Sequence, residues 1–253
     1  MVAGMTLDVI AVADGIHLAR TPLVNWTLVA DDTGVLLIDA GFPGQRAEVL
    51  ASLYRLGFGP ADVTAILLTH AHIDHLGTAI WFARTHRTPV YCHREEVGHV
   101  RRDYLQQASP ADLVTQAWRP RWLAWSAEVA LKGGLVRDGI PTVKPFSDEV
   151  AAQLPGRPVA VPTPGHTSGH CSYLLGGVLV VGDALITGHP LARRPGPQLL
   201  PSMFNHDDDA CLRSLDVLAA SGARVLLPGH GPVWAGPVAD AVRQARSYSS
   251  SHG

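Results

Sequence analysis

The chain has 253 residues, 47% of them hydrophobic and 17% charged, with a net charge of −2 at neutral pH. That composition describes a globular protein with a substantial core, and it carries no basic surplus to recruit nucleic acid or an anionic membrane. No run reaches the roughly 18 apolar residues needed to span a bilayer, and the three scattered cysteines, Cys92, Cys171 and Cys211, draw neither a disulfide framework nor a C-x-x-C knuckle.

Asp8 and Asp14 stand near the start, with no basic segment ahead of a long apolar core. A secretory signal is therefore not expected, and a reducing cytoplasm is the expected compartment. Short strands are predicted at Leu7–Val12, Ile16–Leu18, Trp26–Ala30 and Val35–Ile38, separated by the turn-forming runs Asp14-Gly15 and Asp31-Asp32-Thr33-Gly34. Ala47 to Leu56 has helical spacing through Val49, Leu50, Leu53 and Leu56, and Gly57 ends it. The apolar run Val63 to Leu68 reads as a buried strand leading to a loop, with a helix from about Leu76 to Arg84 and another strand at Pro89–Cys92.

Residues 93–148 lose the strand alternation and are read as a helical insertion or lid within a single domain of residues 1–253. Pro120 opens a helix whose Trp122, Trp125 and Val129 share a face. That stripe suits a core; because it belongs to an insertion, lining of a substrate pocket or a homodimer contact competes with that reading. The strand pattern returns at Val150–Gln153, Val159–Val161, Cys171–Leu175 and Val178–Val181. A Pro/Gly-rich loop spans Leu185–Phe204, followed by a helix at Asp207–Ala220, a strand at Val225–Leu227 and a last helix at Val238–Ser247. Strands followed by helices, twice over, suggest two sheets packed face to face and covered by helices outside.

The stretch Thr69-His70-Ala71-His72-Ile73-Asp74-His75 places four metal-competent side chains within six residues. Helix capping explains one aspartate but not three imidazoles, so this is read as a metal site. Three later stretches repeat the theme of a strand ending in a histidine or aspartate beside glycine: Pro164-Gly165-His166-Thr167, Val181-Gly182-Asp183 and Pro228-Gly229-His230-Gly231. Glycine beside a ligand lets the backbone turn sharply and approach a metal closely.

Taken together these motifs resemble the metallo-β-lactamase fold superfamily of metal-dependent hydrolases, from about Leu7 to His230. The resemblance implies an α/β, αββα four-layer sandwich with the metals at one edge of the two sheets. It implies that His70, His72 and His166 hold one ion, that Asp74, His75 and His230 hold a second, and that Asp183 bridges them. Asp39 matches an aspartate that orients a ligand histidine. Two divalent ions sharing a water would lower its pKa and give a hydroxide near neutral pH, with Asp74 assisting proton transfer. Imidazole and carboxylate donors without thiolate suit zinc first, and also iron or manganese.

The expected substrate is a small ester, lactone or thioester, in a lactonase- or glyoxalase II-like branch. The aspartate at 183 argues against true β-lactamases. Glyoxalase II carries an added C-terminal helical domain, whereas only 23 residues follow His230. Acyl-homoserine lactonases place a tyrosine about three residues after the bridging aspartate, where Ile186 and Thr187 stand here. An iron-dependent sulfur dioxygenase and a non-catalytic metal-containing metabolite sensor are the alternatives. His17, His86, His189, His206 and His252 are read as surface or loop residues and Cys171 as core. His170 is read as structural, and His93 and His99 as candidates for lining the pocket.

Overall fold

The computed structural model describes residues 7–108, 114–116, 118–192 and 194–249. A seven-stranded sheet holds, in chain order, β1 (Asp8–Ala13), β2 (Ile16–Arg20), β3 (Asn25–Asp31), β4 (Gly34–Ile38), β5 (Val63–Leu67), β6 (Val90–Cys92) and β7 (Lys144–Pro145). Tight turns make β1 to β4 antiparallel. From β4 onward the strands run parallel, because the connections through α1 (Arg46–Arg55) and α2 (Ile73–Thr85) carry the chain back over the sheet.

Between β6 and the second sheet lie α3 (Val97–Arg101), α4 (Pro120–Leu131) and α5 (Asp148–Ala151). The second sheet has the order β12-β11-β10-β9-β8, built from β8 (Val159–Pro162), β9 (Cys171–Leu175), β10 (Val178–Gly182), β11 (Val225–Pro228) and β12 (Trp234–Ala235). Its parallel pair, β10 and β11, is joined through α6 (Asp208–Ala220), and α7 (Val238–Ser249) follows β12.

Period-2 alternation explains the layering. Leu36 and Ile38 of β4 face Cys171, Tyr173 and Val180 of the other sheet, forming the core between the sheets. Their neighbours Val35 and Leu37 point outward, onto Val49 and Leu53 of α1 and Leu76 and Phe82 of α2. On the far side Leu179 and Val181 meet Leu215 and Leu218 of α6 and Ala241 and Val242 of α7. The result is the αββα sandwich. Among the described residues no helix is long and apolar enough to cross a membrane.

Two expectations need correction and a third is refined. The helix expected from Leu76 begins at Ile73, with His72 at its N-cap, so Asp74 and His75 sit in its first turn rather than in the loop. An aspartate is favoured there by the positive end of the helix. The strand expected at Val150–Gln153 is instead part of α5, because the Ser147 hydroxyl caps the Val150 N–H at 3.4 Å and Asp148 and Glu149 fill the first turn. His189 does lie in a loop, as expected, but that loop sets it half-buried beside His230, within reach of the site. The region 93–148 does contain helices, but it also supplies β7, which extends the first sheet.

Candidate metal centre

The strand ends converge. Asp39 follows β4, His70 and His72 follow β5, Asp183 follows β10 and His230 follows β11, so the carboxyl ends of strands from both sheets empty into one edge. His166 comes from the loop between β8 and β9, and α2 contributes Asp74 and His75. Asp39 holds a left-handed φ of +63°, a conformation that costs a non-glycine residue about 1–2 kcal/mol. Its carboxylate is fully engaged in return. Oδ1 accepts the Thr69 N–H at 2.8 Å, and Oδ2 lies 2.8 Å from both Thr69 Oγ1 and His75 Nδ1. Gly229 shows why glycine flanks His230: a Cβ there would collide with Asp183 Oδ1 and lie 2.7 Å from the His75 ring.

Seven predicted side chains come together in three overlapping groups. His70, His72 and His166 form one, Asp74, His75 and His230 a second, and His70, His75 and Asp183 link them, with the ligand-competent atoms of each group within 4.8 Å of one another. Asp183 is central: Oδ2 is 3.5 Å from His166 Nε2 and 3.2 Å from His230 Nε2, and Oδ1 is 3.5 Å from His75 Nε2. Asp74 Oδ2 stands 3.5 Å from His230 Nε2, and His166 Nε2 lies 2.9 Å from His72 Nδ1.

Each imidazole is held by its other nitrogen. His75 Nδ1 meets Asp39, His230 Nδ1 meets the Leu23 carbonyl at 2.6 Å, and His166 Nδ1 meets Asn205 Oδ1 at 3.1 Å. His72 is reversed, with Nε2 on the Gln106 carbonyl at 2.7 Å and Nδ1 turned inward; His70 Nδ1 meets Thr69 Oγ1 at 3.0 Å. An oxygen acceptor keeps a proton on the outer nitrogen, so the inner nitrogen of the neutral ring presents a lone pair. That is the tautomer a metal requires.

The inner surface tests the fit. His70 Nε2, His75 Nε2 and Asp183 Oδ1 are buried without any hydrogen-bond partner. A buried unsatisfied polar atom costs about 1–3 kcal/mol, and three facing one another call for a partner that accepts lone pairs and neutralises a carboxylate. A divalent cation does both. The charges agree. Burial pushes His70 and His166 well below the ordinary imidazole range, and His72 down to about 4. Burial opposes charge on His75 and His230 as well, but the surrounding carboxylates, Asp74 and Asp183 foremost, outweigh it and raise His75 well above the ordinary value and His230 to about 10. The site therefore binds protons where it is built to bind cations.

Several supporting residues are absent from the sequence reading. Glu96, fully buried, accepts from Ala71 N–H (2.8 Å), His99 Nδ1 (2.8 Å), the Thr167 hydroxyl (2.8 Å) and Gly169 N–H (3.1 Å). It ties the His70–His72 loop to the His166 loop. Gln106 completes the bracket, its backbone N–H donating to His99 Nε2 at 3.3 Å and its side chain accepting the Ser168 N–H at 2.8 Å. His99 is thus a buried strut rather than a pocket wall, while half-buried His93 accepts a hydrogen bond from the Glu95 N–H at 3.4 Å. Across the site the Asn25 amide donates to the carbonyls of Pro228 (2.9 Å) and Gly231 (2.8 Å), on either side of His230.

His170 is buried, with Nδ1 on Thr163 at 2.9 Å and Nε2 accepting the Asp183 N–H at 3.2 Å. It fixes the backbone of the central aspartate. Cys171 lies in the core between the sheets, its thiol pushed up to about 12 by burial. His17 is half-buried on β2, His86 and His206 are exposed, and His252 lies outside the described residues. Trp122 is buried and lines a cavity of about 880 Å³ shared with Ile186, Asn205 and Tyr248. Trp125 packs at 5.6 Å from the His189 ring.

A four-layer sandwich bearing five imidazoles and two carboxylates at one sheet edge defines a class of metal-dependent hydrolases. The chain belongs to the metallo-beta-lactamase superfamily, whose sequence model matches residues 20–230. It is 31% identical over 236 residues to probable metallo-hydrolase YflN of Bacillus subtilis (strain 168), a match covering 87% of this chain and 84% of that one. A solved metallo-beta-lactamase family protein from Thermus thermophilus aligns with a TM-score of 0.66 and 25% identity, over 95% of this chain and 81% of that one. A short stretch of 52 residues, 21% of this chain and 18% of the other, is 48% identical to hydroxyacylglutathione hydrolase of Xanthomonas campestris pv. campestris (strain B100).

Proposed function

We propose that the protein hydrolyses a small ester, lactone or thioester at a dinuclear zinc centre. The observation that carries this reading is the set of buried, unpartnered inner atoms on His70, His75 and Asp183, surrounded by imidazoles whose outer nitrogens are all engaged. His70, His72 and His166 would hold one ion, Asp74, His75 and His230 the other, with Asp183 between them and Asp39 orienting His75. When bound, two such ions supply an activated water near neutral pH and a Lewis acid for the acyl oxygen.

The chain's own residues do the rest. Water adds to the acyl carbon, the C–O or C–S bond breaks, and the leaving oxygen or sulfur takes up the proton that the water gives up. Asp74 is the carboxylate placed to carry that proton: its side chain keeps 19% exposure, against 3% for Asp183. Burial alone would raise its pKa, but in the metal-free site the neighbouring His75 and His230 outweigh burial and hold the carboxyl below the usual range, so it stands ionised. Within residues 93–148 the helix α4 serves as the lid, with Trp122 and Trp125 presenting an apolar wall to the acyl group. The stretch shared with a hydroxyacylglutathione hydrolase supports acyl substrates.

The test is metal content by plasma mass spectrometry on protein purified without added metal, followed by an ester, lactone and thioester panel. About two zinc per chain with turnover is the expected result. Asp183→Ala should lose metal and turnover together, and full activity in that variant would sink the dinuclear assignment. About one iron per chain, with oxygen consumption on persulfides, would replace the hydrolase reading by a sulfur dioxygenase. Two metals without turnover, together with tight binding of a metabolite, would replace it by a sensor.

A further inference from the structure

His189 belongs to none of the metal-competent groups, yet its ring stands 4.9 Å from that of His230, at 82°. Aromatic neighbours hold it there: Trp125 at 5.6 Å and Phe204 at 6.1 Å. Phe204 is itself fixed by Trp122, stacked at 6.0 Å and 5°, and by Trp125 at 5.9 Å. The helix α4, from the proposed lid, thus sets the orientation of an imidazole beside the metal cluster.

One hydrogen bond then assigns the proton. His189 Nδ1 accepts the Leu191 N–H at 3.1 Å, and a ring nitrogen that accepts carries no hydrogen, so the N–H is on Nε2. Among the described residues Nε2 has no hydrogen-bond partner, and the residue is only half-buried. A donor on a ring held by its aromatic neighbours, on a half-buried residue and left unused, is what an incoming oxygen atom would find. None of the ligand imidazoles offers this, because their outer nitrogens are committed to Asp39, Leu23, Asn205, Gln106 and Thr69.

We propose that His189 donates its Nε2–H to the carbonyl oxygen of the substrate, orienting it on the His230 side of the metal cluster and stabilising the negative charge that grows there as water adds. The proposal rests on the hydrolase reading above. A preorganised donor aimed at a developing oxyanion acts mainly on the transition state, so its loss lowers kcat more than it raises KM.

Three full-length, metal-loaded proteins decide it: wild type, His189→Phe and His189→Gln. Phenylalanine keeps the aromatic packing and removes the donor; glutamine keeps an N–H donor and removes the ring. The readouts are kcat and KM on whichever substrate of the panel is turned over, binding of phenylphosphonate by calorimetry, metal content and thermal midpoint. His189→Phe is expected to lose about 10- to 100-fold in kcat/KM, mostly in kcat, and His189→Gln to stay within about 5-fold of wild type. Phenylphosphonate, a tetrahedral oxyanion, should bind about 5- to 10-fold more weakly to His189→Phe, with both metals retained. A fully active His189→Phe would reduce the residue to packing, and a His189→Gln as impaired as His189→Phe would show that an N–H donor at this position is not what matters; either result overturns the assignment. Should wild type turn over nothing, the hydrolase reading falls on that result. The donor is then judged by the phosphonate alone, equal affinity in wild type and His189→Phe overturning it.

Discussion

Replacing Asn25 by alanine isolates the clamp that holds the His230 loop. In the native protein the amide nitrogen donates to the carbonyls of Pro228 and Gly231, at 2.9 and 2.8 Å. The Pro228 bond is buried, so leaving that carbonyl unpaired costs about 1–3 kcal/mol; the Gly231 carbonyl is part-buried and can rehydrate, for about 0.5–1 kcal/mol. Against this, Asn25 Oδ1 is itself buried without a partner, and removing it returns about 1 kcal/mol. The backbone bond from Asn25 N–H to the Gly229 carbonyl, 2.8 Å, is unaffected. The net loss is about 2 kcal/mol, or roughly 4–8 °C in thermal midpoint for a chain of this size. The loosened loop carries His230, so metal content should fall below that of the wild type. Differential scanning fluorimetry and plasma mass spectrometry on the same preparation read both effects. An unchanged midpoint with two metals would show that the clamp is incidental.

The other expectations address the first metal loop, the charges and the lid. Glu96→Gln turns an N–H₂ towards two of the four donors that Glu96 accepts, so affinity for the first ion should drop about 10- to 100-fold; cobalt substitution makes this visible, and an unaltered cobalt spectrum and affinity would refute it. In the metal-free protein burial opposes the charge on His230, yet Asp183 and Asp74 raise its pKa to about 10, above the ordinary value of about 6.5. Its contribution to stability is complete below about pH 6.5 and disappears as pH rises towards about 10. Metal requires the neutral ring, so the midpoint gap between loaded and metal-free protein should widen from about pH 6.5 to about 9.5, and a narrowing gap would count against that charge assignment. Removing the Trp122/Trp125 wall should alter relative rates across substrates by about 10-fold or more. A change confined to stability would make the wall core.

The metal cluster is legible because its signal is local. Four donors within six residues, and glycine beside each of the later ones, need no knowledge of distant partners. The αββα layering is legible for a related reason: period-2 alternation in β4 and β10 marks two buried faces on each strand. What escapes the sequence is what depends on a partner far along the chain. Glu96 reads as one acid among Arg94, Glu95 and Glu96 until folding places it under Ala71 and Gly169. Asn25 is an ordinary strand residue until the loop around His230, more than 200 residues away, arrives. His189 carries no motif, and its position follows only from the aromatic wall of α4. The strand expected at Val150–Gln153 fails differently, since a single capping hydroxyl at Ser147 outweighs a short apolar pattern.

The Leu23 carbonyl that orients His230 is separated from it by 207 residues. At about 5–20 residues per second, a ribosome needs roughly 10–40 s to bridge that interval. The nascent chain therefore exposes His70, His72, Asp74 and His75 long before the residues that complete either ion's surroundings exist. A metal held by that first cluster alone would lack His166, Asp183 and His230, so the full set of donors is offered only by a sandwich whose two halves have met. Tight metal uptake would then be a report on finished folding, and a chain cut before His166 should hold metal more loosely than the full chain.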